Sequence, residues 1–308
     1  MNFLVSGSNG DIAISVINII SKEFPNSKII ATDSKRPKKI FKNVKYLLFP
    51  HCRKKSYFQS LKKLIKQYKI NLFIPTVAEE IIFLSDKKDD TLSKKILIND
   101  REIVNTFSNK LKTSNWFKVN KFPWLKTTKI QDCNSNDLPV VIKPNFGSGS
   151  KQIYYCRSKG SLEHLKALLS NDFISQKMLN VNSKEYTISI LKIQGKSKYC
   201  IMERELFGGI SFQIKAIKNR TLDAFTVKVT NLLPAFCFVN IQAKIHHNKV
   251  FCFEINPRLS SSILMRSLIG FKDLTQLIKY KLYNQIDLEF KINYKAVVNR
   301  RFDCFLIN

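Results

Sequence analysis

The chain has 308 residues, enough for two packed domains or one large one, and its 44% hydrophobic and 11% aromatic content excludes a disordered polymer. A formal net charge of +29 would suit nucleic acid or an anionic surface, but Lys, Asn, Ile and Phe are abundant everywhere and no RNA-binding motif occurs, so nucleic acid is not expected as a partner. No uninterrupted apolar segment reaches the ~18 residues that span a membrane.

The first hundred residues alternate predicted strands and helices. The predicted strands cover 3–6, 28–33 and 71–75, and the predicted helices cover 12–22, 56–67 and the segment TVAEEIIFLS, 76–85. Short apolar strands in β-α-β order predict a parallel sheet with helices on both faces, which is a Rossmann-like α/β domain. After the second strand, the stretch 35–69, which includes the helix 56–67, is locally dense in basic residues.

After residue 100 the pattern changes to α+β with antiparallel sheets. Helices are predicted at 108–119, 161–169, 263–269 and 274–283, and strands at 140–143, 152–156, 173–176, 185–191, 199–203, 239–245 and 250–256. The predicted domains are therefore 1–100 and 101–308. We divide the second domain into 101–171, with a glycine-rich loop, and 172–308, with the paired strands.

The seven cysteines are an odd number without C-x-x-C spacing, and several lie in apolar strands. We therefore expect free core thiols in a reducing cytoplasm. The first residues, MNFLVSGSNG, are predicted to form a strand and a turn and not a signal peptide, because they lack a basic region and break at glycines.

The segment VVIKPNFGSGS, 140–150, ends an apolar strand with a lysine and continues into a glycine-rich loop. Gly147 and Gly149 let backbone N–H groups approach an anion, and Lys143 supplies a positive charge beside them. The spacing is not that of a Walker loop. A phosphate clamp is one interpretation, and a plain hairpin turn after an exposed lysine is the other.

A second segment, 173–179, is an apolar strand followed by a short linker and a new strand that begins with Glu185. An extended linker exposes backbone N–H and C=O groups, as recognition of an adenine edge requires. A carboxylate close by can accept hydrogen bonds from ribose hydroxyls.

The strand 250–256 ends in a pair of polar residues that share a face, Glu254 and Asn256, because side chains two apart in a strand point the same way. With Gln242 on the preceding strand they form a set of oxygen donors of the type that Mg²⁺ prefers. Gln242 lies opposite Glu254 only if the turn has an odd number of residues or a β-bulge intervenes, and a three-residue loop at 247–249 would satisfy this.

These blocks, in this order, resemble the ATP-grasp superfamily over nearly the whole chain. IPTVAEEI and SNKLKTSNWFKVNKFPWLKT resemble the end of its pre-ATP-grasp domain and its entry helix. VVIKPNFGSGS, ISQKMLNVNSKEYTISI and NIQAKIHHNKVFCFEINPR resemble its phosphate, adenine and metal-binding segments. The likeness is greatest to the carbamoyl phosphate synthetase large-subunit branch and the pyrrolysine-biosynthesis ligase.

The resemblance implies site residues by position. The implied ligands of Mg²⁺ or Mn²⁺ are Gln242, Glu254 and Asn256. The implied ATP contacts are Lys110, Lys143, Gly147, Ser148, Gly149, Gln176, Lys177, Met178 and Glu185, with the backbone of Lys177 and Met178 at the adenine and Glu185 at the ribose. The implied catalytic residues are Arg258, at the transferred phosphoryl group, and Lys143. Arg204 and Glu80 would face the acceptor substrate.

The implied activity is that of an ATP-dependent carboxylate-amine ligase that forms an amide through an acyl phosphate. Its partners would be a small-molecule carboxylate and an amine, and dimers are common in the superfamily. Two positions depart from the pattern. Ala78 stands where relatives often have an aspartate, and neutral Gln242 stands where many have a carboxylate.

A nicotinamide-dependent Rossmann oxidoreductase is the main alternative. SGSNGDI follows a strand, and Asp33 ends the second strand at the spacing of a ribose-binding acid. Tyr155 and Lys159 have the spacing of the short-chain dehydrogenase pair, but the glycine pattern is incomplete. A non-catalytic ATP-binding protein with an ATP-grasp fold is the third interpretation.

Overall fold

The amino-terminal part of the chain folds around a four-stranded parallel sheet. The structure, a computed structural model, describes residues 1–87, 89–147, 152–180 and 183–301. The strands are β1 (Asn2–Ser6), β2 (Lys28–Asp33), β3 (Val44–Leu48) and β4 (Leu72–Ile74), in the order β3-β2-β1-β4. All three pairs are parallel, as predicted.

Helices flank this sheet because each buries one apolar stripe. They are α1 (Asp11–Glu23), α2 (Tyr57–Gln67), α3 (Ala78–Ser85) and α4 (Asp90–Lys95), whereas α5 (Arg101–Phe107) packs against α3 and β13 (Lys249–Asn256). In α1 the residues Ala13, Val16, Ile17 and Ile20 are buried, which is the spacing of a single helix face. The strand β3 was not predicted, because it is an edge strand without buried residues, and Lys45 interrupts it within the basic stretch.

A second, antiparallel sheet has the order β5-β8-β6-β7. Its strands are β5 (Thr127–Lys129), β6 (Val140–Pro144), β7 (Tyr154–Cys156) and β8 (Phe173–Lys177), and its helices are α6 (Lys110–Val119) and α7 (Lys159–Leu168). Asn109 caps α6 by accepting the N–H of Lys112 at 2.9 Å, which fixes the start of that helix.

The third sheet is antiparallel and has six strands in the order β13-β12-β9-β10-β11-β14. Its strands are β9 (Glu185–Ile193), β10 (Lys196–Phe207), β11 (Ile210–Ala216), β12 (Cys237–His246), β13 (Lys249–Asn256) and β14 (Val297–Asn299). The helices α8 (Arg220–Leu232), α9 (Ile263–Leu268) and α10 (Asp273–Tyr283) accompany it. The predicted fold class, a Rossmann-like domain followed by antiparallel sheets, is confirmed.

The largest apolar core joins the parallel sheet to the six-stranded sheet. It contains Val5 and Ile17 from the amino-terminal part together with Met202, Phe238 and Ile263 from the rest of the chain. Because this core is continuous, burial of apolar surface holds the two parts together.

Free, buried thiols occur at six of the seven cysteines, as expected for core residues; Cys304 lies outside the described residues. The six are Cys52, Cys133, Cys156, Cys200, Cys237 and Cys252. Within the described ranges, each helix is too short or too polar to cross a membrane.

Candidate functional site

A cleft of about 580 Å³ lies between the four-stranded antiparallel sheet and the six-stranded sheet. Strands β6 and β8 line one side, and β9, β10, β12 and β13 line the other. Most of the predicted ATP and metal residues line it, namely Lys110, Lys143, Gly147, Gln176, Lys177, Met178, Glu185, Gln242 and Glu254, and so does Arg204, which was predicted to face the acceptor substrate. Clefts of this size and mixed polarity suit a ligand as large as a nucleotide.

Asn145 brings the two predicted phosphate-binding lysines to the same end of the cleft. Its backbone and side-chain oxygens accept N–H groups from the first turn of α6, at 3.2 and 3.1 Å, so that Lys110 is held beside the end of β6 and Lys143. Lys110 Nζ donates to the Gly147 carbonyl at 3.1 Å, and Lys143 Nζ donates to the Phe253 carbonyl on the other sheet at 3.3 Å. The two ammonium groups therefore converge where β6 meets β13.

Burial lowers the pKa of both lysines. It brings the pKa of Lys143 down to about 8, with Glu254 opposing the change and Lys110 adding to it. The pKa of Lys110 is also lowered by burial, again opposed by Glu254, while Arg258 adds to the lowering. Buried cations of this kind are stabilised when an anion arrives, so this end of the cleft is suited to phosphate groups.

The β12–β13 hairpin brings the three predicted metal ligands together. Gln242 is the register partner of Glu254, and Asn256 donates from Nδ2 to Glu254 Oε1 at 2.8 Å. Glu254 and Asn256 thus share a face, as strand periodicity predicts. The amide oxygen of Asn256 stays available as an acceptor, because the bond to Glu254 uses its nitrogen.

The register of this hairpin comes from a β-bulge and not from the loop length. The turn has two residues, His247 and Asn248, with φ of 44° and 58°, and His246 pairs with Lys249. The predicted three-residue loop at 247–249 is therefore wrong. The stated alternative is confirmed, since one extra residue on β13, Phe253, shifts the pairing and brings Gln242 opposite Glu254.

Glu254 is the centre of a positively charged environment. Burial is the largest influence and raises its pKa, but Lys110, Lys143, the hydrogen bond from Asn256 and Arg258 together bring the pKa below its usual value. The carboxylate is therefore ionised at neutral pH. Carboxylate and amide oxygens are hard ligands, so the trio fits Mg²⁺ or Mn²⁺, although it supplies a single negative charge.

Arg258 lies immediately beyond this hairpin and is 9% exposed. Within the described residues its guanidinium makes one hydrogen bond, from Nη1 to the carbonyl of Leu259 at 2.7 Å. Burial lowers its pKa, and the nearby carboxylates of Glu254 and Asp11 oppose that change. With Asn256 it lines a small space whose other wall comes from α3 and α5, including Ala78. Most N–H groups of this buried guanidinium are therefore left for a ligand.

The predicted adenine segment lies along the cleft, with one correction. The N–H of Met178 donates to the carbonyl of Pro139 at 3.1 Å, so it is not open to a ligand. Leu179 lines the cleft, and its N–H makes no backbone hydrogen bond within the described ranges. Gln176 is buried and donates to Thr127 Oγ1 at 3.1 Å. The sequence analysis missed Leu179 because a linker pattern does not say which N–H groups the neighbouring strand uses.

Glu185 and Arg204 form a charged pair across neighbouring strands. They are register partners on β9 and β10, and Arg204 Nε donates to Glu185 Oε1 at 3.0 Å, with a second bond from Nη2 to the same oxygen. Both line the cleft. The predicted ribose acceptor and the predicted acceptor-side arginine are thus in direct contact.

Glu80, which was predicted to face the acceptor substrate, lines neither the cleft nor the small space beside Arg258. It is 6% exposed and accepts hydrogen bonds from the hydroxyls of Ser6 and Tyr57, the latter at 2.5 Å. Burial raises its pKa to about 7, while those two hydrogen bonds lower it and Asp33 raises it. The helix pattern failed here because Glu80 points into the sheet and Ala78 faces the small space beside Arg258.

The glycine-rich loop begins at Gly147, whose φ of 104° favours glycine. A β-carbon there would meet no atom within 4 Å, so the requirement is conformational and not steric. Ser148 and Gly149, predicted with it, lie outside the described residues.

Apolar residues of the cleft wall were missing from the prediction. They include Leu125, Val141, Phe146, Leu206 and Phe253. Strand periodicity could have found Val141, which is two residues before Lys143 on the same face of β6. Periodicity could not have found Leu206, because β11 and the β10–β11 hairpin were not predicted.

The features behind the oxidoreductase alternative have other uses here. Asp33 accepts the backbone N–H groups of Asn9 and Lys35, both at 3.0 Å, so it fixes its own loop. Tyr155 lies in β7 and is 61% exposed, not on a helix that also carries Lys159. The arrangement of a short-chain dehydrogenase therefore does not form.

Solved structures of three ligase-type enzymes share this fold. An L-amino acid ligase from Bacillus licheniformis is 13% identical, with a TM-score of 0.71 over 92% of this chain and 74% of its own. A biotin carboxylase from Campylobacter jejuni is 14% identical, with a TM-score of 0.73 over 95% and 73%. An N5-carboxyaminoimidazole synthetase from Staphylococcus aureus is 12% identical, with a TM-score of 0.71 over 94% and 79%.

Sequence comparison gives the family directly. No curated protein matches the chain. The ATP-grasp domain family matches residues 107–262, which is about half of the chain and includes α6, β6, the cleft and the β12–β13 hairpin. The chain therefore belongs to the ATP-grasp family of enzymes.

Proposed function

We propose that this enzyme is an ATP-dependent ligase that joins a carboxylate to an amine through an acyl phosphate. The observation that carries the proposal is the cluster of buried Lys110, Lys143 and Arg258 around Glu254 at the end of a nucleotide-sized cleft. Among the described residues each of the three cations donates a single hydrogen bond, to a backbone carbonyl, so together with the carboxylate they suit the phosphates of a nucleotide and the group that attacks it.

The nucleotide would lie between the two antiparallel sheets. Its adenine would meet the carbonyl of Lys177 and the N–H of Leu179, with Gln176 beside it. The Glu185–Arg204 pair lies on the ribose side of the same cleft. The triphosphate would then extend to the two buried lysines and Gly147, as the convergence of their polar groups favours.

A divalent cation held by Gln242, Glu254 and Asn256 would, when bound, neutralise charge on the β- and γ-phosphates. The neutral Gln242 supports the predicted likeness to the carbamoyl phosphate synthetase branch. It also makes the nucleotide itself the main source of negative charge for the cation.

Two displacements make up the proposed reaction. A carboxylate oxygen attacks the γ-phosphorus, the bond from that phosphorus to the bridging oxygen breaks, and ADP leaves with the electron pair. The amine nitrogen then attacks the acyl carbon, phosphate leaves, and the nitrogen releases a proton. Lys143 and Arg258 would stabilise the charge that develops, and no protein nucleophile is needed.

We place the acceptor on the far side of Glu254, against the wall that α3 and α5 form beside Arg258. Ala78, Phe107 and Ile82 make that wall apolar, so part of the acceptor would be apolar as well. We also propose a domain boundary near residue 100, with 1–100 contributing the acceptor wall and 101–308 the nucleotide cleft. The latter divides into 101–171, with the phosphate loop, and 172–308, with the adenine and metal residues, and β8 of the second piece completes the sheet of the first.

A phosphate-release screen tests the proposal. Purified protein is incubated with ATP and Mg²⁺, and with amino acids, peptides or carboxylated sugars, in the presence and absence of hydroxylamine. We expect phosphate release to depend on one carboxylate, and hydroxylamine to trap the acyl phosphate as a hydroxamate. ATP binding without turnover across the panel would favour a non-catalytic protein, and tight nicotinamide binding in a fluorescence titration would favour the oxidoreductase.

A further inference from the structure

A second buried cluster lies directly behind the loop that carries Arg258. Arg266 and Asp273 are 2% and 3% exposed. Arg266 Nε donates to both carboxylate oxygens of Asp273, at 3.1 and 2.9 Å, and Nη2 donates to one of them at 2.7 Å. This fork geometry is the strongest form of an arginine–carboxylate pair.

The pair is connected to the loop through two hydroxyls. Arg266 Nη1 donates to Ser260 Oγ at 2.7 Å and to Ser262 Oγ at 3.2 Å. Ser260 in turn donates to Asn240 Oδ1 at 3.2 Å, and that oxygen also accepts the hydroxyls of Thr187 and Ser189, each at 3.0 Å. We call these seven buried residues the Arg266 network: Thr187, Ser189, Asn240, Ser260, Ser262, Arg266 and Asp273.

The Arg266 network fixes one end of the segment that carries Arg258. Ser260 is two residues beyond Arg258. The other end is held by Asn99, whose Nδ2 donates to the carbonyl of Pro257 at 3.0 Å. Asn240 is also the register partner of Asn256, so the same network is attached to the end of the metal-binding strand. Arg258 is therefore restrained on both sides within two residues.

A stabilising role alone does not require this arrangement. Replacing a buried ion pair with well-packed apolar residues is often neutral or favourable for stability, so stability alone does not account for this pair. Here the geometry is that of the buried Arg258 guanidinium, which makes one hydrogen bond to the part of the chain that the structure describes. Displacement of a reacting contact by about 1 Å is enough to lower a rate about a hundredfold.

We propose that Arg266 and Asp273 are positioning residues that hold Arg258 against the γ-phosphate of ATP. The inference rests on the proposed function only in assigning Arg258 to the transferred phosphate. It assigns Ser260 as the link between the buried pair and the loop. It predicts that the pair acts on γ-phosphate recognition through Arg258 and not through adenine or ribose binding.

The test compares ATP with ADP, because the two differ by the γ-phosphate. Dissociation constants for both are measured by calorimetry with Mg²⁺ present. We expect Arg258→Ala to reduce the preference for ATP over ADP about ten- to a hundredfold, since it removes charge-assisted hydrogen bonds. Asp273→Asn should reduce the same preference at least several-fold, and Ser260→Ala about threefold, with the ADP affinity unchanged in each case.

Double variants separate positioning from general stability. In the Arg258→Ala background, Asp273→Asn should cause no further loss of the ATP preference, since both act through one guanidinium. Thr230→Val is the matched control for Ser260→Ala, because each removes one buried hydroxyl. The hydroxyl of Thr230 lies on α8, outside the Arg266 network, and donates to the carbonyl of Thr226. Thr230→Val should leave the preference unchanged. Thermal unfolding of each variant shows whether it is folded. If Asp273→Asn does not fold, Ser260→Ala alone tests the inference.

Two results would overturn the inference. One is an ATP preference in Ser260→Ala and Asp273→Asn equal to that of the unmodified enzyme while Arg258→Ala loses it. The other is additive losses in the double variant. Neither result depends on the acceptor, so failure of the ligase proposal is seen separately, as absence of acceptor-dependent phosphate release with the ATP preference intact.

Discussion

Two buried arginines on either side of one loop have opposite surroundings. Arg266 makes three hydrogen bonds to the carboxylate of Asp273 and two to serine hydroxyls. Arg258, in the described part of the chain, makes one bond to a neighbouring carbonyl. Both are almost completely buried, so both carry a desolvation cost.

The difference shows where the protein leaves hydrogen-bonding capacity for a ligand. A buried charge with all its partners fixes local geometry, whereas one with few partners is stabilised only when a counter-charge arrives. The cluster of Lys110, Lys143, Arg258 and Glu254 is of the second kind, and the Arg266 network is of the first. The site therefore combines charges that have few hydrogen-bond partners with a neighbouring network whose charges are fully paired.

The largest effect is expected from removing Glu254, the carboxylate of the cluster formed with Lys110, Lys143 and Arg258, which we call the open cluster. Glu254→Gln keeps the size of the side chain but removes its charge, and Asn256→Ala removes the amide beside it. We expect each to lower ATP turnover by at least ~100-fold, since a positioned charge-stabilising element is lost. Steady-state ADP formation measures this.

The exposed Glu289→Gln is the charge-matched control for that substitution and should turn over ATP normally. Thermal unfolding should be compared as well, because loss of Glu254 leaves three cations close together. Unchanged ATP consumption in a Glu254→Ala, Asn256→Ala double variant would contradict the assignment of the site.

Lys143 offers a test through pH. In the free enzyme its pKa is about 8, so above that pH the ammonium loses its proton unless phosphate is bound. ATP affinity should therefore fall by up to about tenfold per pH unit above this value. Lys143→Arg keeps its charge throughout and should lose this pH dependence, while Lys143→Ala should bind ATP weakly at every pH. Calorimetric titrations with ATP at about pH 7 and about pH 9 measure these affinities. The same pH dependence in Lys143→Arg as in the unmodified enzyme would contradict the prediction.

The affinity for a divalent cation tests the balance of positive and negative charge around Glu254. Because Glu254 is the one carboxylate of the metal trio and three buried cations lie close to it, the free enzyme should bind Mn²⁺ weakly, and ATP should strengthen binding. Gln242→Glu adds a negative charge and should tighten Mn²⁺ binding without nucleotide by about tenfold. Gln242→Met, which removes the oxygen, is the control and should weaken binding with nucleotide present. Paramagnetic resonance of Mn²⁺ measures free ion, and equal binding by all three proteins would refute a role for Gln242.

The sequence predicted the open cluster better than the Arg266 network. Glu254 and Asn256 were found because a strand period of two fixes which side chains share a face. The partner position of Gln242 depended on a bulge at Phe253, which no residue pattern marks. The Arg266 network was missed, because an arginine inside a helix looks solvent-exposed until tertiary packing buries it beside Asp273.

Substitution of Glu80 is expected to have the smallest effect, a pH-dependent change in the free energy of unfolding. Unlike Asp273, its partners among the described residues are the hydroxyls of Ser6 and Tyr57, and burial raises its pKa to about 7. The folded protein then holds more protons than the unfolded chain between the ordinary pKa of 4.5 and about 7, and the free energy of unfolding should fall as pH rises through that window. The contribution is about 1 kcal/mol per pH unit near the middle of the window. Because Glu80→Gln cannot ionise, its unfolding free energy relative to the unmodified protein should rise with pH. Tyr57→Phe removes one hydrogen bond to the carboxylate and should move the upper end of the window to higher pH. Denaturant unfolding across the window measures both, and a difference that does not vary with pH would mean that Glu80 has a charged partner after all.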